Sequence, residues 1–232
     1  MVKPREIILN ALKEERRKLL EHEALELIKA YGAPIADAGL AKTPEEAGEL
    51  AEKMGFPIVL KIVSPDISHK SDVGGVIVGV NSKKETIEAA KKIIENVSKN
   101  VPNVRITGIL VQKMAKKGLE IIIGGLRDNI FGPVVMFGLG GIFVEVLKDV
   151  SFRVAPISYE DAYEMMKEIK SAKLLEGYRG QPPVDKKAIA DIIIAVAKLL
   201  EENPEVDSVD LNPVIAYPDG AVVVDARVIL KQ

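Results

Sequence analysis

Residues 57–80 read PIVLKIVSPDISHKSDVGGVIVGV. The first seven form an apolar run between Gly55 and Pro65, the pattern of a buried strand, with Lys61 in its middle. An ammonium group inside an apolar strand costs free energy unless an anion or water takes it. Lys61 therefore has two readings: a strand-edge lysine that snorkels to solvent, or a cation facing a cavity that holds a negative group. The polar stretch from Ser68 to Asp72 leads into Gly74-Gly75 and a second strand over 75–80. Glycine lets backbone N–H groups come close to phosphate oxygens because no Cβ blocks the approach. An ordinary β-turn explains the same pair, so the lysine strand, the glycine loop and the second strand carry weight only together.

On both sides of this stretch, helices and strands alternate. Residues 13–31 carry Leu20, Ala24, Leu27, Ile28 and Tyr31 at helical spacing, and Gly32 and Pro34 end the run. Thr43-Pro44-Glu45-Glu46 is a capping box with proline at the first helical position, followed by the stripe Ala47, Leu50, Ala51, Met54. A helix is expected over 85–97 and strands over 105–112, 119–123 and 133–137. Ser158 and Asp185 read as N-caps of helices over 159–171 and 186–202. The chain closes with β runs at 206–216 and 221–230 around Tyr217-Pro218-Asp219-Gly220. This is the pattern of an α+β protein in two closely packed halves, 1–125 and 126–232, meeting near residues 124–132.

Composition removes several classes of function. The 232 residues include no cysteine, which excludes disulfides, thiolate metal sites and cysteine nucleophiles. Only two histidines, His22 and His69, argue against a multi-histidine metal centre. The 32 basic residues against 34 acidic ones leave a net charge of -2, which disfavours nucleic acid or an anionic membrane as the main partner. Aromatic residues at 4% and the absence of Trp disfavour base-stacking platforms. The first twenty residues mix charge with leucine and read as neither a signal segment nor a membrane span, so a cytoplasmic protein is expected. Neither G-x-x-x-x-G-K-[ST] nor a helix-opening G-x-G-x-x-G occurs, which sets aside the P-loop and dinucleotide-fold readings.

A second cluster lies in the last hairpin. Strand period places Asp210 and Asn212 on one face, and a two-residue loop at Pro218-Asp219 would set Asn212 opposite Asp225. A three-residue loop would shift that pairing by one. Three hard oxygen donors on one sheet face suit Mg²⁺ shared with phosphates, while a solvated polar stripe is the plain alternative. Pro213 in mid-run points to an edge or a bulge. His69 is either an idle surface-loop histidine or a phosphoryl acceptor, since neutral imidazole is a competent nucleophile.

In this order the segments resemble the ATP-grasp domain of the ADP-forming acyl-CoA synthetases, in particular the β subunits of ADP-forming acetate–CoA ligases (acetyl-CoA synthetases), relatives of the succinyl-CoA synthetase β subunit. SPDISHKSDVGGVIVGV (64–80) is the most family-specific run. YGAPIADAGLAKTPEEAGELAEKMGFPIVLKI (31–62), LVQKMAKKGLEIIIGGLRD (110–128), FGPVVMFGLGGIFVEVLKDVSFRVAPI (131–157) and DSVDLNPVIAYPDGAVVVDARVIL (207–230) extend the likeness over nearly the whole chain. The resemblance implies an ATP-grasp fold of two α/β subdomains with nucleotide bound between them. It implies that Lys61 contacts nucleotide phosphates and that Val73, Gly74 and Gly75 belong to a phosphate-covering loop. Gln112 and Met114 would sit at the adenine hinge and Glu120 near the ribose. Asp210, Asn212 and Asp225 would hold Mg²⁺, with Asp210 standing where succinyl-CoA synthetases carry Glu. Glu145 falls in a family motif near the phosphates. His69 would be a second phosphoryl carrier between a phosphohistidine on the partner and ADP.

The implied reaction is acyl-CoA + ADP + phosphate ⇌ carboxylate + CoA + ATP. This chain would be the nucleotide-handling half, and a CoA-binding α subunit would complete an α2β2 hetero-oligomer. Two other functions compete. An ATP-grasp carboxylate–amine ligase would make its own acyl phosphate without a phosphorylatable His69. A non-catalytic nucleotide-sensing subunit would tolerate loss of His69, Asn212 and Asp225.

Overall fold

The computed structural model describes residues 3–141 and 148–231. Contacts divide the chain into a larger unit, Met1–Ile35 with Lys117–Gln232, and a smaller unit, Ala36–Lys116. This differs from the sequential halves 1–125 and 126–232, because the N-terminal helices pack on the sheet of the C-terminal half. The expected junction at 124–132 is instead a strand pair and its turn inside the larger unit.

The N-terminal stripe resolves into two helices, α1 (Pro4–Lys13) and α2 (Glu21–Ala30). Glu15 takes a positive φ of 56°, which ends α1 and turns the chain. Residues 17–19 then run extended, with the Leu19 N–H donating to Val228 O and the Leu230 N–H donating to Arg17 O. The Arg16 guanidinium grips both carboxylate oxygens of Glu23 at 2.7 and 2.8 Å, and Glu23 also accepts the Leu20 N–H that opens α2.

In the smaller unit, β1 (Ala38–Ala41), β2 (Ile58–Val63), β3 (Val76–Val80) and β4 (Gly108–Lys113) form one antiparallel sheet in the order β1-β4-β2-β3. Two helices, α3 (Pro44–Met54) and α4 (Lys83–Asn100), accompany it. Thr43 and Ser82 cap them, accepting N–H bonds from Glu46 at 3.1 Å and Glu85 at 3.2 Å. Ile58, Leu60, Ile62, Ile109 and Val111 alternate onto the helix-covered face and pack with Ala47, Ala51, Ile93 and Val97.

In the larger unit, β5 (Leu119–Asp128), β6 (Gly132–Leu139), β7 (Val150–Val154), β8 (Val206–Tyr217), β9 (Gly220–Val223) and β10 (Ala226–Leu230) build a six-stranded sheet. Its order is β10-β8-β5-β6-β7, with β9 also paired to β8, and every pairing is antiparallel. Helix α5 (Tyr159–Glu168) and the apolar α6 (Lys186–Glu202) pack on one face. Gly124 and Gly125 continue β5 beyond the expected 119–123. A Cβ at Gly125 would stand 2.6 Å from Leu200 Cδ1 and 2.9 Å from Val196 Cγ1, so the glycine lets α6 sit close to the sheet. No helix among the described residues is long and apolar enough to cross a membrane.

The Gly74-Gly75 pair joins β2 to β3 through a short 3₁₀ turn, Ser71–Val73. Gly74 has φ +69°, and a Cβ at Gly75 would meet Ile62 Cγ2 at 2.5 Å and Lys70 O at 2.9 Å. One obstacle is backbone and the other a core side chain, so neither yields cheaply. Gly75→Ala should destabilise the chain by about 1–3 kcal/mol, read as a lowered midpoint in thermal or denaturant unfolding. An unchanged midpoint would show that the loop relaxes around the methyl group.

Candidate functional site

The smaller unit gathers three of the expected residues around β2 and β4. Lys61 pairs with Leu110, and Val59 with Gln112, so strand alternation sets Lys61 and Gln112 on the same face, away from the helix-packed one. Both are buried: Lys61 is 6% exposed and Gln112 fully enclosed. This excludes the snorkelling reading of Lys61. Met114 follows β4 as a partly exposed side chain, its N–H donating to Pro57 O at 3.1 Å.

The loop carrying His69 is tethered on both sides. Ile67 is buried in the core of the smaller unit. Asp66 accepts the Arg105 backbone N–H at 2.8 Å and its guanidinium at 2.7 Å, and donates its own N–H to Ser64 Oγ. On the far side Asn100 Nδ2 donates to Val73 O at 3.2 Å. Ser68 and His69 stand exposed between these tethers, beside the half-buried Lys70. The N–H groups of Gly74 and Gly75 donate to Ser71 O and Lys70 O, so in this conformation they close the turn. Close packing, more than free N–H donors, accounts for the two glycines here.

In the larger unit, β8 carries Asp210 and Asn212, both exposed, between the buried Val209, Leu211 and Val214. The loop is the two-residue one: Tyr217 faces Gly220. That register continues across the break between β9 and β10, and the Asn212 N–H donates to Asp225 O at 3.2 Å. Pro213 proves to be part of a bulge within a central strand. Leu211 pairs with Ile123 and Val214 with Ile121, so β8 holds one extra residue at Asn212-Pro213. Glu120 lies exposed on β5, its carbonyl accepting the Gly140 N–H at 2.8 Å. Glu145 lies outside the described residues.

Arg227 is a neighbour outside the expected site residues. It stands directly across from Asp210 in the β10–β8 pairing and two residues beyond Asp225, on the same face. Strand period alone would have found it. Asp210 keeps surface in solvent, yet the protein packed around its carboxyl displaces enough water to push it above the usual range, while Arg227 pulls the other way. Two carboxylates, an amide and no sulfur or imidazole make a donor set of hard oxygens, which fits a magnesium ion sharing its shell with phosphate and water.

The ATP-grasp domain family matches residues 10–230, and the chain belongs to that family. It is 50% identical over 230 residues to the subunit beta of acetate–CoA ligase [ADP-forming] I from Pyrococcus furiosus, covering 99% of each chain. It is 47% identical to acetate–CoA ligase [ADP-forming] I from Archaeoglobus fulgidus, covering 98% of this chain but 33% of that one. Among solved structures it superposes with TM-score 0.96 and 55% identity on a chain of acetyl-coenzyme A synthetase 1 from Ca. Korarchaeum cryptofilum, in complex with coenzyme A and Ca-AMPCP, covering 99% of this chain and all of that one.

The Asp66 carboxyl sits below its ordinary range, chiefly through the Arg105 guanidinium and then its backbone N–H. A depressed folded-state value stabilises the tether above the unfolded value, and this is lost as pH falls through the folded one. Asp66→Ala should speed hydrogen exchange at residues 67–70 at neutral pH. Wild type should approach that rate only below about pH 4, with the variant's excess over wild type shrinking in step. Equal exchange in both proteins at pH 7 would remove Asp66 as the tether.

Proposed function

We propose that this chain is the nucleotide-binding catalytic subunit of a cytoplasmic ADP-forming acid–CoA (acetate–CoA) ligase, acting with a CoA-binding α subunit in an α2β2 assembly. The carrying observation is His69, exposed on a loop tethered at both ends, in a chain alike over its full length to the ligase subunit from Pyrococcus furiosus. In the ATP-forming direction the phosphorus–nitrogen bond of a phosphohistidine breaks as a terminal ADP oxygen bonds to phosphorus, and the imidazole leaves neutral. The reverse step forms phosphohistidine from ATP and releases ADP.

Each residue has a task in that transfer. Lys61, held on a rigid strand, places a fixed positive charge against the phosphates, where a buried cation acts more strongly than a solvated one. Val73, Gly74 and Gly75 shape the turn that covers them. Gln112 and Met114 receive the base at the end of β4, and Glu120 the ribose. Asp210, Asn212 and Asp225 would hold Mg²⁺, which would supply neutralisation of phosphate charge. Arg227 balances the charge of Asp210. Glu145 keeps its expected place near the phosphates.

Incubation with Mg²⁺ and ATP labelled on the γ-phosphate, in the presence of the α subunit, tests the reading. Wild type should acquire acid-labile, base-stable label on this chain, and His69→Ala should acquire none. A fully active His69→Ala complex would end the relay. Asp225→Asn and Asn212→Ala should each lower the labelling rate about a hundredfold or more and weaken Mg²⁺-dependent nucleotide binding by calorimetry, with circular dichroism unchanged. Wild-type nucleotide binding in both variants would move the metal elsewhere.

A further inference from the structure

One face of the six-stranded sheet is covered by α5 and α6, and the other carries an apolar strip that ends in a hairpin tip. Leu126, Val134 and Val154 stand side by side across β5, β6 and β7, and Phe152 lies one pleat along on the edge strand. The strip runs into the β5–β6 turn, where Ile130 is 85% and Phe131 65% exposed, while Leu126, Phe152 and Val154 are each about half exposed. The tip is rigid: Asp128 Oδ1 accepts the N–H groups of Ile130 at 2.8 Å and Phe131 at 2.9 Å. With aromatic side chains of 150–250 Å² and aliphatic ones somewhat smaller, the strip offers on the order of 500 Å² of apolar surface. That falls within the roughly 300–600 Å² of the largest apolar patch on a typical monomer, a patch that is often functional, and would form the apolar centre of an interface of roughly 800 Å² per side.

The relatives differ in how this domain is joined to the rest of the ligase. The same domain makes up one third of the Archaeoglobus fulgidus ligase polypeptide, yet forms a separate subunit in Pyrococcus furiosus. Where the covalent connection is absent, a non-covalent surface has to do its work. We infer that the strip of Leu126, Ile130, Phe131, Phe152 and Val154 is the permanent docking surface for the α subunit, with Phe131 and Ile130 as rigid anchors. The inference rests on the proposed function for the existence of that subunit. It adds the apolar part of a sheet face that borders Asp210: Phe152 lies in one cross-strand row with Met136, Gly124 and Asp210, while the anchors Ile130 and Phe131 stand at the far, turn end. The Asx turn fixes the backbone of Ile130 and Phe131, so the loop itself has less freedom to lose on binding.

The test measures binding of the purified α subunit to this chain by calorimetry, with light scattering to give the assembly size. Ile130→Asp/Phe131→Asp should weaken α-subunit binding a hundredfold or more. Mg·ATP binding and the thermal midpoint should stay at wild-type values, and Val78→Asp, an exposed apolar residue of β3, should have no effect on binding. The milder Ile130→Ser/Phe131→Ser pair and Val154→Asp repeat the measurement should the first variant misfold. Folded variants that bind the α subunit as wild type does would overturn the docking surface. So would wild-type chains that pair with each other through this strip and separate in the variants. Failure of the wild-type chain to bind the α subunit at all would instead refute the proposed function.

Discussion

The register of one hairpin governs the acidic half of the candidate site. The turn at Pro218-Asp219 has two residues, and this alone sets Asn212 opposite Asp225. A third loop residue would slide β9 and β10 along β8 and turn alternate side chains to the helix-covered face. The extra residue at Asn212-Pro213 adds a second constraint. A bulge bends its strand and re-aims one side chain while the flanking pairs hold, so Asn212 is directed by a local kink in the centre of the sheet. Oxygen donors placed this way gain rigidity from the ladder on both sides, which loop-borne donors lack.

The smaller unit solves a different problem. It buries a lysine on a central strand, where the charge is expensive, and sets it on the same face as a buried glutamine. That cost is tolerable in a fold stabilised elsewhere, and the opposite face of the sheet provides the compensation. Ile58, Leu60, Ile62, Ile109 and Val111 are enclosed against two well-capped helices. Each apolar side chain so enclosed contributes roughly 1.5–3 kcal/mol, and several together offset the desolvation of one buried cation.

Most elements were legible because their signals were local. The capping residues Thr43, Ser158 and Asp185, the stripe of α6 and the apolar run around Lys61 all lie within a few residues of what they specify. The differences arise where distant partners decide. Residues 17–19 left the expected helix because they bond to β10, which lies two hundred residues away. The strand β7, reading VSFRV, escaped notice because it is short and is defined by its pairing to β6. Gly124 and Gly125 hid the true length of β5, since two glycines read as a break until α6 is seen to need the space. The site residues were readable as types and spacings, and the Gly74-Gly75 pair showed the limit of such reading. Composition pointed to free N–H donors, whereas the turn uses those donors itself.

The tethering of the His69 loop bears on how a phosphoryl group could travel. Ile67 is locked in the core and the 3₁₀ turn begins at Ser71, so only residues 68–70 are left to move. Three residues of fully extended chain span at most about 10 Å. A carrier on so short a tip can pass a group between neighbouring positions but cannot cross from one subunit's active site to another's. If His69 is phosphorylated during turnover, the long part of the journey belongs to whatever brings the donor to it. The exposed imidazole then works as a nearly stationary relay point, and the tethers at Asp66 and Val73 limit how far it can swing.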